Sequence, residues 1–223
     1  NEVVITKNGE KAIRMTPYLS DYDRYYLMQV KEQALDYQYW GKKVSYEEFM
    51  EISEKSELRM EFIDGEIILL GSPSMEHQAI SGNLYLTFSH FLKGKKCKVF
   101  YSPFDVHFFK PEIKDPDVCQ PDLFIACNIE ETLNEKGRYM GTPSLVVEII
   151  SSSTRSIDMV KKLNTYMLSG VAEFWVADPG QKTIMVYAFK DLRIADFHTY
   201  RNEEVAVSQT FGGLTVSLAE AFL

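Results

Sequence analysis

Between Pro143 and Pro179 the apolar and polar positions fall in blocks that read as strand, helix and strand. Leu145 to Ile150 is apolar except for Glu148, the pattern of a strand covered on both faces, as in parallel sheets. A Ser/Thr cluster follows, and then Val160, Leu163, Met167 and Leu168 recur on one side of a helix that Gly170 closes. Glu173 to Ala177 returns to strand character, and Asp178-Pro179-Gly180 turns the chain. This order predicts a right-handed crossover unit. Glu148 is its anomaly. A carboxylate in such a strand is costly to bury unless it is paired, protonated or bound to a cation. A strand with one wet face would leave Glu148 in water; its β-branched and leucine neighbours favour burial.

The remaining elements are read by the same patterns. Val3-Val4-Ile5 is strand-like, and Asp21 to Trp40 reads as a helix with Leu27, Val30, Ala34 and Tyr37 along one side. That helix suits packing on its own domain as well as it suits a dimerisation arm. Ser45-Tyr46-Glu47-Glu48 is a capping box opening a short helix with Phe49 and Ile52 inward. Glu61 to Leu70 reads as two strands joined at Asp64-Gly65, a pair favoured where both turn residues need positive φ. After Gly71-Ser72-Pro73-Ser74, a helix carries Ile80, Leu84, Phe88 and Leu92 at intervals of four, with His77 in its first turn. Residues 97–110 read as a strand pair, or as one strand bent at Pro103. Gln120 to Cys127 is a further strand with Asp122 near its start, and 128–142 a polar loop. Thr183 to Phe189 forms a hairpin with the strand ending at Ala177; more strand follows over 196–207, then a short terminal helix.

Composition narrows the class. The 223 residues are 45% hydrophobic and 25% charged, enough for a sizeable core. No linker divides them, no apolar run would span a bilayer, and the amino terminus has no signal pattern. The expectation is a cytoplasmic protein without a membrane partner. Three cysteines, Cys97, Cys119 and Cys127, without C-x-x-C spacing, predict buried thiols in a reducing compartment. The net charge of −8 counts against a nonspecific nucleic-acid coat, but not against an enzyme whose acids hold metal beside local basic patches.

Four residues then align as candidate chemistry: Glu61 before the hairpin, Asp122 at a strand start, Glu148 in the buried strand, and Lys162 on the next helix. Two carboxylates and a main-chain carbonyl, with Ile149 the natural donor, suit a hard cation and leave room for water and a phosphate oxygen. A lysine beside such a site orients or deprotonates water, or neutralises developing charge.

From Ser45 onward the chain resembles the Uma-two family of restriction endonucleases, within the PD-(D/E)XK nuclease superfamily. The matching pieces, in the family's order, are S-Y-E-E-F, E-F-I-D-G-E-I, S-P-S-M-E-H-Q, Y-S-P-F-D-V, Q-P-D-L, V-V-E-I-I-S-S-S-T, D-M-V-K-K-L-N-T-Y and V-A-E-F-W-V-A-D-P. The resemblance implies an α/β, restriction-endonuclease-like fold, a central mixed β-sheet flanked by helices. It also implies magnesium- or manganese-dependent cleavage of DNA phosphodiesters. Residues 45–223 would form the nuclease domain and 1–44 an amino-terminal extension. Pro121-Asp122 matches the P-D element and Glu148 the second acid. The usual lysine position falls on Ile150, so Lys162 in D-x-x-x-K-x-x-x-Y takes its place, with Lys161 the second choice. Asp158, Lys162 and Tyr166 share one helix face. Glu61 matches the superfamily's early acid and His77 a recurrent family histidine. Serine stands where the family commonly has proline in S-P-S, which alters the loop leading to Lys162.

The resulting expectation is an endonuclease with Asp122, Glu148 and Ile149 at Mg2+ or Mn2+, Lys162, Glu61 and His77 in support, DNA as its substrate, and a homodimeric assembly. The alternatives are a catalytically inactive binding or assembly module that keeps the nuclease fold, and a hydrolase of another phosphoester.

Overall fold

The computed structural model describes residues 3–7, 10–15, 38–150 and 157–223. Most of the helix expected over 21–40, and the Ser/Thr cluster after Ile150, lie outside them. The chain divides into two units, Asn1–Lys42 and Lys43–Leu223. In the first, β1 (Val3–Lys7) pairs antiparallel with β2 (Glu10–Met15), a second strand that its mixed Lys, Arg and Ala pattern did not announce.

The second unit opens with α1 (Tyr46–Lys55), where Ser45 Oγ accepts from Glu48 N at 3.1 Å, the expected cap. β3 (Met60–Ile63) and β4 (Glu66–Leu69) pair through Asp64 and Gly65, whose φ values of 51° and 79° explain the Asp-Gly choice. α2 (Met75–Leu92) buries Ile80, Leu84, Phe88 and Leu92, as the intervals of four predict. Then come β5 (Lys98–Tyr101), β6 (Val106–Phe108), β7 (Asp117–Cys119), β8 (Leu123–Ala126) and the short α3 (Ile129–Thr132). β9 (Leu145–Ile149), a π-helical segment (Ile157–Lys162), α4 (Leu163–Leu168) and β10 (Glu173–Asp178) form the central unit. β11 (Thr183–Lys190), β12 (Arg193–Arg201), β13 (Val205–Val207), β14 (Thr215–Ser217) and α5 (Leu218–Ala221) complete the chain.

A six-stranded mixed sheet runs β12-β11-β10-β9-β8-β5, and a four-stranded sheet runs β4-β3-β7-β6. β9 is parallel to β10 and antiparallel to β8. Its alternate residues enter two cores. Leu145, Val147 and Ile149 pack with α2's buried side, whereas Val146 joins Tyr166 and Phe174 on the opposite face. Cover on both faces is why the strand reads as one apolar run. The mixed α/β architecture is the expected fold class.

Several expectations are corrected. Residues 97–110 are neither one bent strand nor a pair: β5 lies in the six-stranded sheet and β6 in the four-stranded one, separated by a cis Ser102–Pro103 bond. The predicted helix face is also rotated. Val160 is 66% exposed, while Lys162, Thr165 and Tyr166 are buried. The π-helical segment carries an extra residue per turn, which shifts the period on which the apolar face was read. Finally, Cys97 and Cys127 are joined in a disulfide, and Cys119 alone is a buried free thiol. Lys98 pairs with Ala126, so the two cysteines sit opposite each other just outside the paired ends of β5 and β8. A pairing across 30 residues has no spacing signature, and the reducing-compartment reading loses its support.

Two outcomes follow. Cross-linking that separation should contribute about 3.6 kcal/mol through the unfolded chain. Replacing both cysteines by serine, or adding reductant, should lower the denaturant midpoint accordingly, and the unreduced, denatured chain should titrate one thiol. His107 on β6 is buried against Tyr46, its Nδ1 3.1 Å from the phenol oxygen, and burial pushes its pKa down to about 4 from 6.5. The unfolded chain takes up this proton below pH ~6.5 while the folded chain resists it until about pH 4. The stability is therefore full above that window and lost as pH falls through it. Wild type should lose about 2 kcal/mol more than His107→Gln between pH 7 and 5, as read from urea unfolding.

Candidate active site

Asp122 immediately precedes β8, so no β8 backbone group lies opposite Ile149 in the ladder. Its side chain takes that place: Asp122 Oδ2 accepts from Ile149 N at 2.7 Å. The same oxygen lies 3.1 Å from His77 Nε2. His77 is carried in the first turn of α2, where its N–H donates to the Ser74 cap at 3.2 Å. The capped helix start, the beginning of β8 and the end of β9 thus converge at one carboxylate.

Glu148 is 3% exposed, so the wet-face reading fails. Its Oε1 accepts from Lys162 Nζ at 3.0 Å and from the Tyr166 hydroxyl. Lys162 and Tyr166 are one helical turn apart and reach the same oxygen. Burial, and then the nearby Glu148 charge, push the Tyr166 pKa well above its ordinary value, so the phenol remains a neutral donor. Lys162 Nζ also lies 3.0 Å from Glu61 Oε1, which accepts from Gln120 N at 2.8 Å. Glu61 is fully buried, and among the described residues its Oε2 has no hydrogen-bond partner. Cys119, adjoining Gln120, is an inert thiol: burial and then Glu61 raise its pKa well above the ordinary range.

A cleft of about 680 Å³ opens over this array, with His77, Asp122, Glu148, Ile149 and Lys162 in its wall. Glu61 lies behind it, reached through Lys162. The candidate residues are therefore gathered from five segments: β3, the start of α2, the approach to β8, the end of β9 and the π-helical segment. Lys161, the second choice, turns away and pairs with Glu66 Oε2 at 2.8 Å. Asp158 falls where no side chain is described. Among the described residues, no three His, Cys, Asp or Glu side chains gather as a metal cluster.

Sequence reasoning missed Arg59 in the cleft wall. Its guanidinium donates to Gln120 Oε1 at 3.0 Å from both Nε and Nη2, and from Nη2 to Ser102 Oγ at 2.6 Å. A lone arginine before a strand carries no motif, so no sequence signal marks it. The helix-face rule did place Tyr166 on one face with Lys162, although without assigning its hydroxyl a partner.

The family described as "Uma2: Putative restriction endonuclease" matches residues 46–219. An uncharacterized protein of Synechocystis is 27% identical over 124 residues, which are 56% of this chain and 62% of that protein's length, so the match spans less than two thirds of the relative. A crystal structure described as "a putative nuclease belonging to DUF820" from Anabaena variabilis superposes with a TM-score of 0.65. It covers 80% of this chain and 97% of that one at 20% identity, a likeness of fold. No helix among the described residues is long and apolar enough to cross a membrane. With the family match covering most of its length, the chain belongs to the Uma2 family of restriction-endonuclease-like proteins.

Proposed function

We propose that the protein is a metal-dependent endonuclease that hydrolyses DNA phosphodiester bonds. The observation that supports this most directly is the shared cleft: Asp122 and Glu148 stand in one wall, with a buried lysine held between Glu148 and Glu61. A purely structural ion pair has no need of an open cleft above it.

The donor chemistry fits a hard cation. Among the described residues, both hydrogen bonds to Asp122 fall on Oδ2, which leaves Oδ1 outside them. Mg2+ commonly takes one or two carboxylates and fills its remaining positions with water and substrate phosphate, so a set of three side chains is not required. Asp122, Glu148 and the Ile149 carbonyl would hold Mg2+ or Mn2+. The ion would supply a nucleophilic water at neutral pH and offset charge on the phosphate.

The chain's own residues supply the rest. His77 and the Ile149 N–H fix the orientation of Asp122, the role outer hydrogen bonds play for ligating groups. Tyr166 and Lys162 fix Glu148 in the same way. Lys162 brings its ammonium to the cleft wall, where it orients water and stabilises charge developing on the phosphate oxygens. Glu61 holds Lys162 from behind. Arg59, anchored on Gln120, presents a second cation to the substrate backbone. Cutting both strands of a duplex calls for two such sites, and we include a homodimer in the proposal.

Asp122→Asn and Glu148→Gln should each lower magnesium-dependent nicking of supercoiled plasmid by at least about 10²-fold, with far-UV spectra unchanged. Calorimetric titration of Mn2+ should lose its heat in Glu148→Gln. A folded wild type that neither cuts DNA nor binds metal, with DNA present or absent, would instead assign the chain to the inactive binding modules. Lys162→Met should leave two buried carboxylates without their cation and lower unfolding stability by roughly 3–5 kcal/mol. Adding Glu61→Gln to Lys162→Met should restore part of that loss in urea melts.

A further inference from the structure

From His77 to Phe104 the sequence contains no aspartate or glutamate, in a chain of net charge −8. This acid-free stretch folds into α2 and β5, and β5 is an edge strand of the six-stranded sheet. Beyond the carboxyl end of α2, Lys93, Lys95, Lys96 and Lys98 are all exposed. Among the described residues, none of the four enters an ion pair. Cys97 lies among them, and its bond to Cys127 ties the run to β8.

An open groove of about 860 Å³ lies between α2 and β5, lined in part by Tyr85, His90, Lys93, Lys95 and Lys98. At its other end Tyr85 packs edge-on against Tyr101 at 5.0 Å between ring centres. Tyr101 is 58% exposed and belongs to the wall of the Asp122–Glu148 cleft. Groove and cleft therefore meet across this ring pair.

We propose that the α2–β5 groove is a track for the DNA phosphodiester backbone, with Lys93, Lys95 and Lys98 in its lining, and the exposed Lys96 beside them, as its phosphate contacts. It rests on the nuclease reading above, and it adds where the substrate lies. Lysines are compact point charges that grip phosphates without reading bases, so this contact positions DNA and does not select sequence. The acidic remainder of the surface repels the same backbone, which leaves the groove as the favoured approach. From His77 to Lys93, α2 advances about 24 Å at ~1.5 Å per residue, or about seven base pairs at ~3.4 Å each. The track thus holds the substrate to one side of the scissile phosphate.

The test is the salt dependence of binding to a fluorescent 30-base-pair duplex, measured in chelator with the full chain. Each lost phosphate contact lowers the slope of log K against log salt by ~0.9, so replacing the four lysines by alanine should reduce it by roughly three to four. A control with Lys114, Lys136, Lys182 and Lys190 replaced carries the same change in net charge and should shift the slope by less than about one. Melting temperatures confirm that both variants are folded. A track variant indistinguishable from the control would overturn the track alone, since plasmid cutting by wild type in magnesium reports separately on the nuclease reading. A wild type that cuts plasmid without measurable duplex binding would also overturn it, and one that neither binds nor cuts would overturn both.

Discussion

The Lys162 ammonium, placed between Glu61 and Glu148 at 3.0 Å from each, is the interaction on which the arrangement of this protein turns. The three groups come from different layers: Glu61 from β3 of the four-stranded sheet, Glu148 from β9 of the six-stranded sheet, and Lys162 from the segment that follows β9. All three are buried. Burying ions costs several kcal/mol each, and their attraction only roughly offsets it, so apolar residues of similar shape would serve stability as well. The array makes physical sense as a device that fixes charge at the floor of a cleft. It holds a cation and a carboxylate in place while both still line the cleft.

A second buried array supports the first. Asp117 Oδ2 on β7 accepts from Lys110 Nζ at 2.7 Å and from Thr165 Oγ1 at 2.6 Å, while its Oδ1 takes the Asp64 N–H at 2.9 Å. Lys110 also donates to Asp64 Oδ1 at 2.6 Å; these bonds more than offset burial and leave its pKa raised. One carboxylate therefore joins the β3–β4 turn, β7 and α4. Thr165 lies between Lys162 and Tyr166 on the inward side of the helix, so anchoring it sets the rotation that aims both at Glu148. With this polar seam along its inner face, the helix can expose Val160. An amphipathic face read only from apolar spacing must miss such a seam, because its signal is carried by Lys, Thr and Tyr.

That contrast shows what the sequence could and could not disclose. Local rules worked where one physical cause acts within a few residues. Ser45 and Ser74 cap helices, Asp64-Gly65 makes its turn, and α2 buries every fourth residue. Glu148 was legible because a charge in an apolar strand has few inexpensive explanations. The Cys97–Cys127 bond, the separation of β5 from β6 into two sheets, and the Asp117–Thr165 contact depend on which strands become neighbours. That is decided by the tertiary fold, and no local pattern encodes it. Glu61, His77, Asp122 and Lys162 were named with the help of a family resemblance; their spacing alone would not have joined them. Arg59, with neither motif nor resemblance to mark it, became visible only in the cleft wall.

The acidity that counted against a nucleic-acid partner has a different meaning once the charges are placed. A net charge of −8 describes the whole chain, whereas an approaching polyanion feels the local field within roughly a Debye length of about 8 Å. Over the described surface the lysines that follow α2 and open β5 stand without ion pairs, while Lys55, Lys136 and Arg138 lie within 4 Å of Glu51 and Glu54. Pairing cancels the second group's field and leaves the first group's intact. Segregated in this way, an acidic surface raises the contrast between one route of approach and the others, and it weakens nonspecific coating of the kind that a uniformly basic nuclease would suffer. On the nuclease reading proposed above, attraction beside the cleft also helps offset the repulsion that a phosphate would meet from Glu61, Asp122 and Glu148.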